Sequence, residues 1–93
     1  MMNLNFEVKC VARHIAVVTF TNEMYLKYSD STDIKVINIM KDKMLTLTRL
    51  DTKVADIEME AYKVNDKDIV DKCERMRHRI KKEMKDIRVK FNL

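Results

Sequence analysis

Neither glycine nor proline occurs in this chain of 93 residues, and their absence limits both its turns and its chemistry. At ordinary usage of about 7% glycine and about 5% proline, a chain of this length would carry roughly six and roughly five of them. Phosphate-cradling loops, dinucleotide-binding turns and nucleophile elbows all need glycine, because the backbone must approach a ligand closely or adopt a positive φ. The sequence therefore excludes these three kinds of site.

The part of the chain before residue 65 follows the pattern of short strands. Apolar and polar side chains alternate with a period of two over residues 4–12, 24–28, 44–50 and 54–64. Residues 14–20 are apolar on both faces and rich in β-branched side chains, as in a central strand. Turns that need a left-handed residue must use asparagine or aspartate. The candidates for such turns are Asn22, Asp30, Asp42, Asp51, Asn65 and Asp86.

The segment 34–40 fits two structures. Its isoleucine and valine side chains alternate between two faces, as in a strand. A helical spacing also connects Ile37, Met40, Met44 and Leu47. The high content of β-branched residues favours the strand, since such side chains lose rotamer freedom in a helix.

One stretch, residues 66–84, has the apolar spacing of a helix. Asn65 or Asp66 is expected to cap it, and Asp68 adds negative charge to the first turn, where backbone N–H groups are unpaired. The other faces of this helix are strongly basic. Its apolar stripe consists of Ile69, Cys73, Met76, Ile80 and Met84, spaced by three or four residues.

The tail after Met84 allows two interpretations. A helix continued to Phe91 would be about 39 Å long. A typical strand covers only about 20 Å, so the end of such a helix would overhang a sheet. A turn at residues 85–86 avoids this overhang, and the alternation of apolar and polar side chains over residues 87–93 supports a strand there. We therefore expect the helix to end near Met84 and a final strand to follow it.

These elements predict a single α+β domain that covers residues 1–93. It consists of an antiparallel β-meander of about six strands packed against one long amphipathic helix, residues 66–84. A final C-terminal strand follows this helix if the chain turns at residues 85–86. A chain of 93 residues is long enough for one hydrophobic core and too short for two.

Cysteine usage and the length of the apolar runs indicate a soluble protein of the cytoplasm. Two cysteines, Cys10 and Cys73, do not make a disulfide framework, so their thiols are expected to be reduced. The longest uninterrupted apolar run is Ile15–Val18, whereas a membrane span needs about 20 apolar residues. Charges begin at Glu7, which is unlike a secretory signal. We expect neither a membrane partner nor secretion.

The residues that could bind zinc have the wrong spacing for a metal site. Cys10 and His14 would lie about 13 Å apart on a strand. Cys73 and His78 would diverge by about 140° around a helix. Four ligands of a tetrahedral zinc ion must converge on one point, so we expect no metal site.

The paired carboxylates considered for acid–base catalysis are Glu58 and Glu60. They share one face of a predicted strand with Asp56, and this face is expected to be exposed. Exposed carboxylates lack the burial that would assign one of them as acid and the other as base. We therefore expect a protein that is not an enzyme and that binds no cofactor.

The net charge of +4 at pH 7 arises in the last third of the chain. Residues 1–64 carry nine Lys and Arg against nine Asp and Glu, whereas residues 65–93 carry ten against six. This asymmetry indicates that the C-terminal helix is the surface that binds a partner. The candidate partner-binding residues are Arg75, Arg77, Arg79, Lys81, Lys82 and Lys85.

The sequence thus predicts a small non-enzymatic interaction protein, an inhibitor, adaptor or assembly subunit of the type frequent among virus- and mobile-element-encoded factors. Its basic helix would dock on a partner protein whose surface is acidic or binds nucleic acid. The alternative is a protein that contacts nucleic-acid phosphates through the same helix. Glu74, Glu83 and Asp86 among the cations, and the scarcity of aromatic residues, weigh against this alternative. An exposed strand edge or an overhanging helix end would also favour a homodimer.

Overall fold

The computed structural model describes residues 3–93, and over these residues the chain forms three α-helices and no strand. Helix α1 spans Leu4–Tyr28, α2 spans Ile34–Lys63 and α3 spans Lys67–Phe91. Each helix packs against the other two, in a rod that measures 47 × 18 × 17 Å. Residues 1–2, which the single-domain prediction includes, lie outside the described residues.

Polar contacts between helices show how the bundle is aligned. Lys53 of α2 pairs with Glu7 of α1 at 3.2 Å, and Lys43 of α2 donates a hydrogen bond to the Thr21 hydroxyl of α1 at 3.3 Å. The first half of α1 thus lies beside the second half of α2, and the two helices are antiparallel. One core of buried apolar side chains runs between the three helices.

The predicted α+β fold, with its antiparallel β-meander of about six strands, is wrong. In α1 the period-two pattern of residues 4–12 is a coincidence over a short stretch. A spacing of three and four residues covers a longer stretch of the same helix and governs which side chains are buried. Thr19 is also buried, and the five buried side chains that follow this spacing are Val8, Val11, Ile15, Val18 and Asn22.

Helix α2 contains three segments that the sequence predicts as separate strands, residues 34–40, 44–50 and most of 54–64. Their β-branched residues favour a strand only weakly, and tertiary packing overrides that preference. Without glycine or proline, nothing interrupts a helix of 30 residues. The side chains that α2 buries again follow a heptad spacing and are Met40, Leu47, Leu50, Val54, Ile57 and Ala61.

The helix predicted for residues 66–84 is present and is longer than expected. Asp66 is its N-cap and accepts a hydrogen bond from the backbone N–H of Ile69 at 3.2 Å. The helix continues to Phe91, so the predicted end near Met84 and the predicted C-terminal strand are wrong. No overhang arises, because α3 packs on two helices of similar length and not on short strands.

Asparagine takes the place of glycine where the backbone needs a positive φ. Asn65, one of the predicted turn residues, has a φ of 55° and follows α2. The N–H groups of Asn65 and Asp66 donate to the carbonyl oxygens of Tyr62 at 3.2 Å and Ala61 at 2.9 Å, which is a Schellman motif. Asp66 thereby completes the end of α2 and caps α3. A second residue of this kind, Asn92 with a φ of 56°, ends α3 and is not among the predicted turn residues.

Of the other predicted turn residues, only Asp30 lies between helices. Its carboxylate accepts a hydrogen bond from the backbone N–H of Thr32 at 2.9 Å, which orders the connection from α1 to α2. The remaining four predicted turn residues lie inside helices, so these predictions are wrong: Asn22, Asp42, Asp51 and Asp86.

Ile57 and Met59 distinguish the helical fold from the predicted strand. A strand would place both side chains on one buried face, whereas in α2 Ile57 is fully buried and Met59 is 63% exposed. We expect Ile57→Ala to lower the free energy of unfolding by about 2–5 kcal/mol. We expect Met59→Ala to lower it by less than about 0.5 kcal/mol. Urea unfolding followed by circular dichroism measures both, and equal losses would contradict the helical assignment of α2.

Candidate interaction surface

The residues that the sequence predicts for partner binding all lie on α3. The buried stripe of this helix, from Ile69 through Ile80 to Phe91, faces the other two helices. Residues on the opposite side of α3 therefore face solvent. Two of the six predicted residues, Arg77 and Arg79, lie at the flanks of the stripe. The other four lie on the outer side and are Arg75, Lys81, Lys82 and Lys85.

Arg77 takes part in an ion-pair network between α3 and α2. Its Nε donates to Oδ1 of Asp51 at 3.1 Å, and its Nη2 donates to Oδ2 at 3.5 Å. An oxygen of Glu58 lies 3.7 Å from its Nη1. The hydrogen bond and the charge of Asp51 raise the pKa of the Arg77 guanidinium above its ordinary value. Arg77 therefore serves the packing of the bundle, and its guanidinium is not free for a partner.

Arg79 connects α3 to α1. Its Nη2 donates a hydrogen bond to the Thr19 hydroxyl at 2.8 Å. Asn22, one turn further along α1, is fully buried, and its side-chain amide has no hydrogen-bond partner among the described residues. Glu83 of α3 faces Asn22, and burial raises the pKa of the Glu83 carboxyl above its ordinary value. Arg79 itself is exposed, and its hydrogen bond connects α3 to the polar layer that Thr19, Asn22 and Glu83 form between α1 and α3.

The four remaining cations and His78 form one exposed surface, which we name the α3 basic face. Its residues are three or four positions apart except for Lys81 and Lys82, which are adjacent, and together they form a row about 15 Å long. None of them takes part in a salt bridge within residues 3–93. Sequence analysis missed His78, although its spacing of three from Arg75 and four from Lys82 was a usable signal. The α3 basic face consists of Arg75, His78, Lys81, Lys82 and Lys85.

Carboxylates and a shallow depression border the α3 basic face. Asp71 precedes Arg75 by about one turn, Glu74 precedes it directly, and Asp86 directly follows Lys85. This depression has a volume of about 230 Å³, and a second one on the same face has about 530 Å³. Small-molecule sites are lined mostly by apolar side chains, whereas charged residues and histidine line both depressions, so the arrangement suits contact with a macromolecule. The first depression is lined by Glu58, Glu74, Arg77, His78 and Lys81, and the second by Asp71, Glu74, Arg75 and His78.

The two carboxylates considered for catalysis do not act as a pair. Glu58 faces Arg77, and one of its oxygens is buried without a hydrogen bond from any described residue. Glu60 pairs with Lys63 at 3.1 Å. Two positions apart on a helix, Glu58 and Glu60 diverge by about 200°, so the shared face expected from a strand does not exist.

The four candidate zinc ligands are spread over two helices. Cys10 and His14 are exposed on α1, whereas Cys73 is buried in the core and His78 lies on the outer side of α3. Over residues 3–93 no three potential ligands come together as a metal site. Burial raises the pKa of the Cys73 thiol to about 11, and the Glu58 carboxylate adds to the rise. Cys73 therefore acts as a packing residue at neutral pH.

Charged residues make up 37% of the chain and occur in all three helices. None of the helices that the structure describes combines the length and the apolarity needed to cross a membrane.

No family model, curated protein or solved structure matches the chain.

Two arginines of α3 test the distinction between internal and outer cations. Arg77→Ala removes the charge-assisted partner of Asp51 and Glu58, so we expect the free energy of unfolding to fall by about 1–2 kcal/mol. Arg75→Ala removes an exposed side chain, and we expect a change within about 0.5 kcal/mol. Chemical unfolding of both variants at one ionic strength gives the comparison. A larger loss for Arg75→Ala would contradict the assigned roles.

The two cysteines provide a test of burial without mutation. In dilute solution at mildly alkaline pH, we expect iodoacetamide to label Cys10 rapidly and to leave Cys73 unlabelled, because its thiol is buried and its pKa is about 11. Guanidinium chloride should expose Cys73 and allow a second label. Mass spectrometry counts the labels over time. Similar labelling rates in the native protein would contradict the position of Cys73 in the core.

Proposed function

We propose that this protein is a small non-enzymatic interaction protein that docks on an acidic surface of a partner protein through the α3 basic face. The observation that carries the proposal is that the five side chains of this face are exposed and have no salt-bridge partner within residues 3–93. Cations without an internal partner keep their capacity for charge-assisted hydrogen bonds with external carboxylates.

The side of α3 opposite the α3 basic face is packed against both neighbouring helices. Ile80 and Ile87 are fully buried on the opposite side of the helix, while Arg77 and Arg79 connect the helix to its two neighbours. A partner therefore meets cations that already stand at fixed helical spacings. Association loses less conformational freedom in such a case, because only the exposed side chains must become ordered.

The charges around the α3 basic face favour a localised acidic patch over a long polyanion. The row of cations is about 15 Å long, and carboxylates of Asp71, Glu74 and Asp86 stand at its borders. A polyanion that continued beyond the row would approach these carboxylates and be repelled. A partner protein with an acidic patch of similar length would avoid this repulsion.

Nucleic acid is the second candidate ligand, since a row of exposed cations on one helix can also neutralise phosphates. Such binding would depend steeply on salt and little on base sequence. Phe91 is the one phenylalanine, tyrosine or tryptophan of Lys67–Phe91, and it is buried. The α3 basic face therefore offers the single imidazole of His78 for stacking and no larger ring, whereas proteins that bind single strands use several aromatic side chains in succession. The protein partner is the better supported of the two ligands.

Charge reversal on α3 tests the proposal against a control of equal charge. The variant Lys81→Glu/Lys82→Glu/Lys85→Glu alters the α3 basic face, and Lys35→Glu/Lys41→Glu/Lys67→Glu makes the same change in net charge elsewhere. All six lysines are exposed. The partner is first captured from the native host and purified, and its affinity is then measured by calorimetry. We expect the first variant to weaken binding by about 100-fold or more and the control by no more than about threefold.

Equal weakening by the two variants would contradict the assignment of the docking surface to α3. Binding of mixed-sequence oligonucleotides at low salt, lost in the α3 variant and retained in the control, would favour the nucleic-acid candidate. Recovery of no stoichiometric partner, together with no oligonucleotide binding, would contradict both candidates.

A further inference from the structure

Helix α1 carries a second apolar stripe on the side opposite the core. Its members follow spacings of three and four residues, like the buried stripe, but lie half a helical turn away from it. Phe6, Phe20 and Tyr28 are 61%, 73% and 75% exposed. We name this surface the α1 outer stripe; it consists of Phe6, Cys10, Arg13, Val17, Phe20, Met24 and Tyr28.

An apolar outer stripe distinguishes α1 from the other two helices. The exposed apolar side chains of α2 and α3, such as Leu45, Met59 and Val89, are separated by polar and charged residues. Two opposite sides of α1 are apolar, and the bundle covers only one of them, so the other is typical of a surface that binds a partner. At about 200 Å² for a whole aromatic side chain, the three rings of the α1 outer stripe expose roughly 400 Å². On a typical monomeric protein the largest exposed apolar patch measures about 300–600 Å² and often marks a binding site. The three rings of this one helix reach that size by themselves.

We propose that a second copy of this chain packs antiparallel on the α1 outer stripe, about a two-fold axis that passes beside Val17. The stripe is nearly symmetric about this residue. Phe6 and Tyr28 lie eleven positions from Val17 on either side, and Cys10 and Met24 lie seven positions from it. The antiparallel pair therefore brings Phe6 against Tyr28, and Cys10 against Met24, of the other copy. A two-fold interface requires this kind of self-complementary surface.

The one charge in the α1 outer stripe selects the antiparallel direction. In a parallel pair each Arg13 would face the Arg13 of the other copy, and like charges would oppose each other directly. In the antiparallel pair the two Arg13 side chains originate about 12 Å apart along the helices. Each then lies near the ring of Phe20 of the other copy, which can accept a cation on its face. At the flank, Lys9 comes near Glu23 of the other copy.

The dimensions of the α1 outer stripe are adequate for a stable pair. From Phe6 to Tyr28 it is about 33 Å long. A standard interface buries about 800 Å² on each partner, and the exposed rings supply roughly half of this area. Val17, Met24 and the aliphatic parts of neighbouring lysines and arginines add to it. The interface uses no residue of the α3 basic face, so its test is independent of the proposed function.

Sedimentation equilibrium of the full chain over a range of concentrations tests the surface. Phe20→Ser removes a ring that is 73% exposed, so the fold of the single chain does not depend on it, and Val89→Ser is the matched control at a 75% exposed position of α3. We expect a monomer–dimer equilibrium for the wild type. We expect Phe20→Ser to raise the dissociation constant about a hundredfold, because the dimer loses the ring twice, and Val89→Ser to leave it unchanged.

Disulfide cross-linking tests the register. In a Cys10→Ser background, Val17→Cys places two introduced thiols beside the two-fold axis, and we expect mild oxidation to convert most of the protein to a covalent dimer. Met59→Cys in the same background is the control at an exposed position of α2, and we expect it to remain monomeric on a denaturing gel. The native Cys10 thiols would be about 21 Å apart along the helices, so the wild type should not cross-link through them.

A wild-type protein that stays monomeric up to about 1 mM would overturn the proposal. Cross-linking through the native Cys10, or equal cross-linking of the Val17→Cys and Met59→Cys variants, would overturn the antiparallel register. If the protein is monomeric and binds phosphatidylglycerol vesicles, and Phe20→Ser loses this binding, the dimer proposal would be overturned, and a lipid surface would be the ligand of the α1 outer stripe.

Discussion

The packing of three apolar stripes against one another is the interaction on which the rest of this structure depends. A single helix of ordinary composition is only marginally stable in water, so α1, α2 and α3 owe their stability to the burial of these stripes. Ile15, Ile57 and Ile80, one from each helix, are at most 1% exposed. Because each stripe occupies one side of its helix, every residue on the other sides remains available for solvent or for partners. Both surfaces proposed above arise from this division.

Polar contacts at the flanks of the stripes decide how much of the positive charge of α3 remains outside. Arg77 pairs with Asp51 of α2, and Arg79 donates to Thr19 of α1. These contacts fix the orientation of α3 about its own axis, so the α3 basic face points outward. The α1 outer stripe has the opposite chemistry, since it is apolar and holds a single charge. A dimer formed through α1 would present two copies of the α3 basic face, which would raise avidity for a partner with repeated acidic sites.

The sequence predictions agree best with the structure where the apolar residues fit only one spacing. Residues 66–84 follow only a helical spacing, and Asp66 has the short polar side chain that an N-cap requires, so both features were predictable. Residues 4–12 also fit a period of two, and their β-branched neighbours added a preference for strands. The longer heptad spacing from Val8 to Asn22 was present in the sequence and carries more weight, because it spans the whole length of a core contact. The absence of glycine and proline was evidence of the same kind, since both residue types interrupt helices.

The sequence by itself determined that glycine-dependent sites are absent, that asparagine or aspartate must supply any turn residue with a positive φ, and that the positive charge is concentrated after residue 64. Only the tertiary structure decided that Arg77 and Arg79 serve the bundle while His78 joins the outer cations. The spacing of residues along the chain sets which of them share a side of a helix. The direction in which that side points depends on the side chains of two other helices, which are distant in sequence and become neighbours only when the core forms.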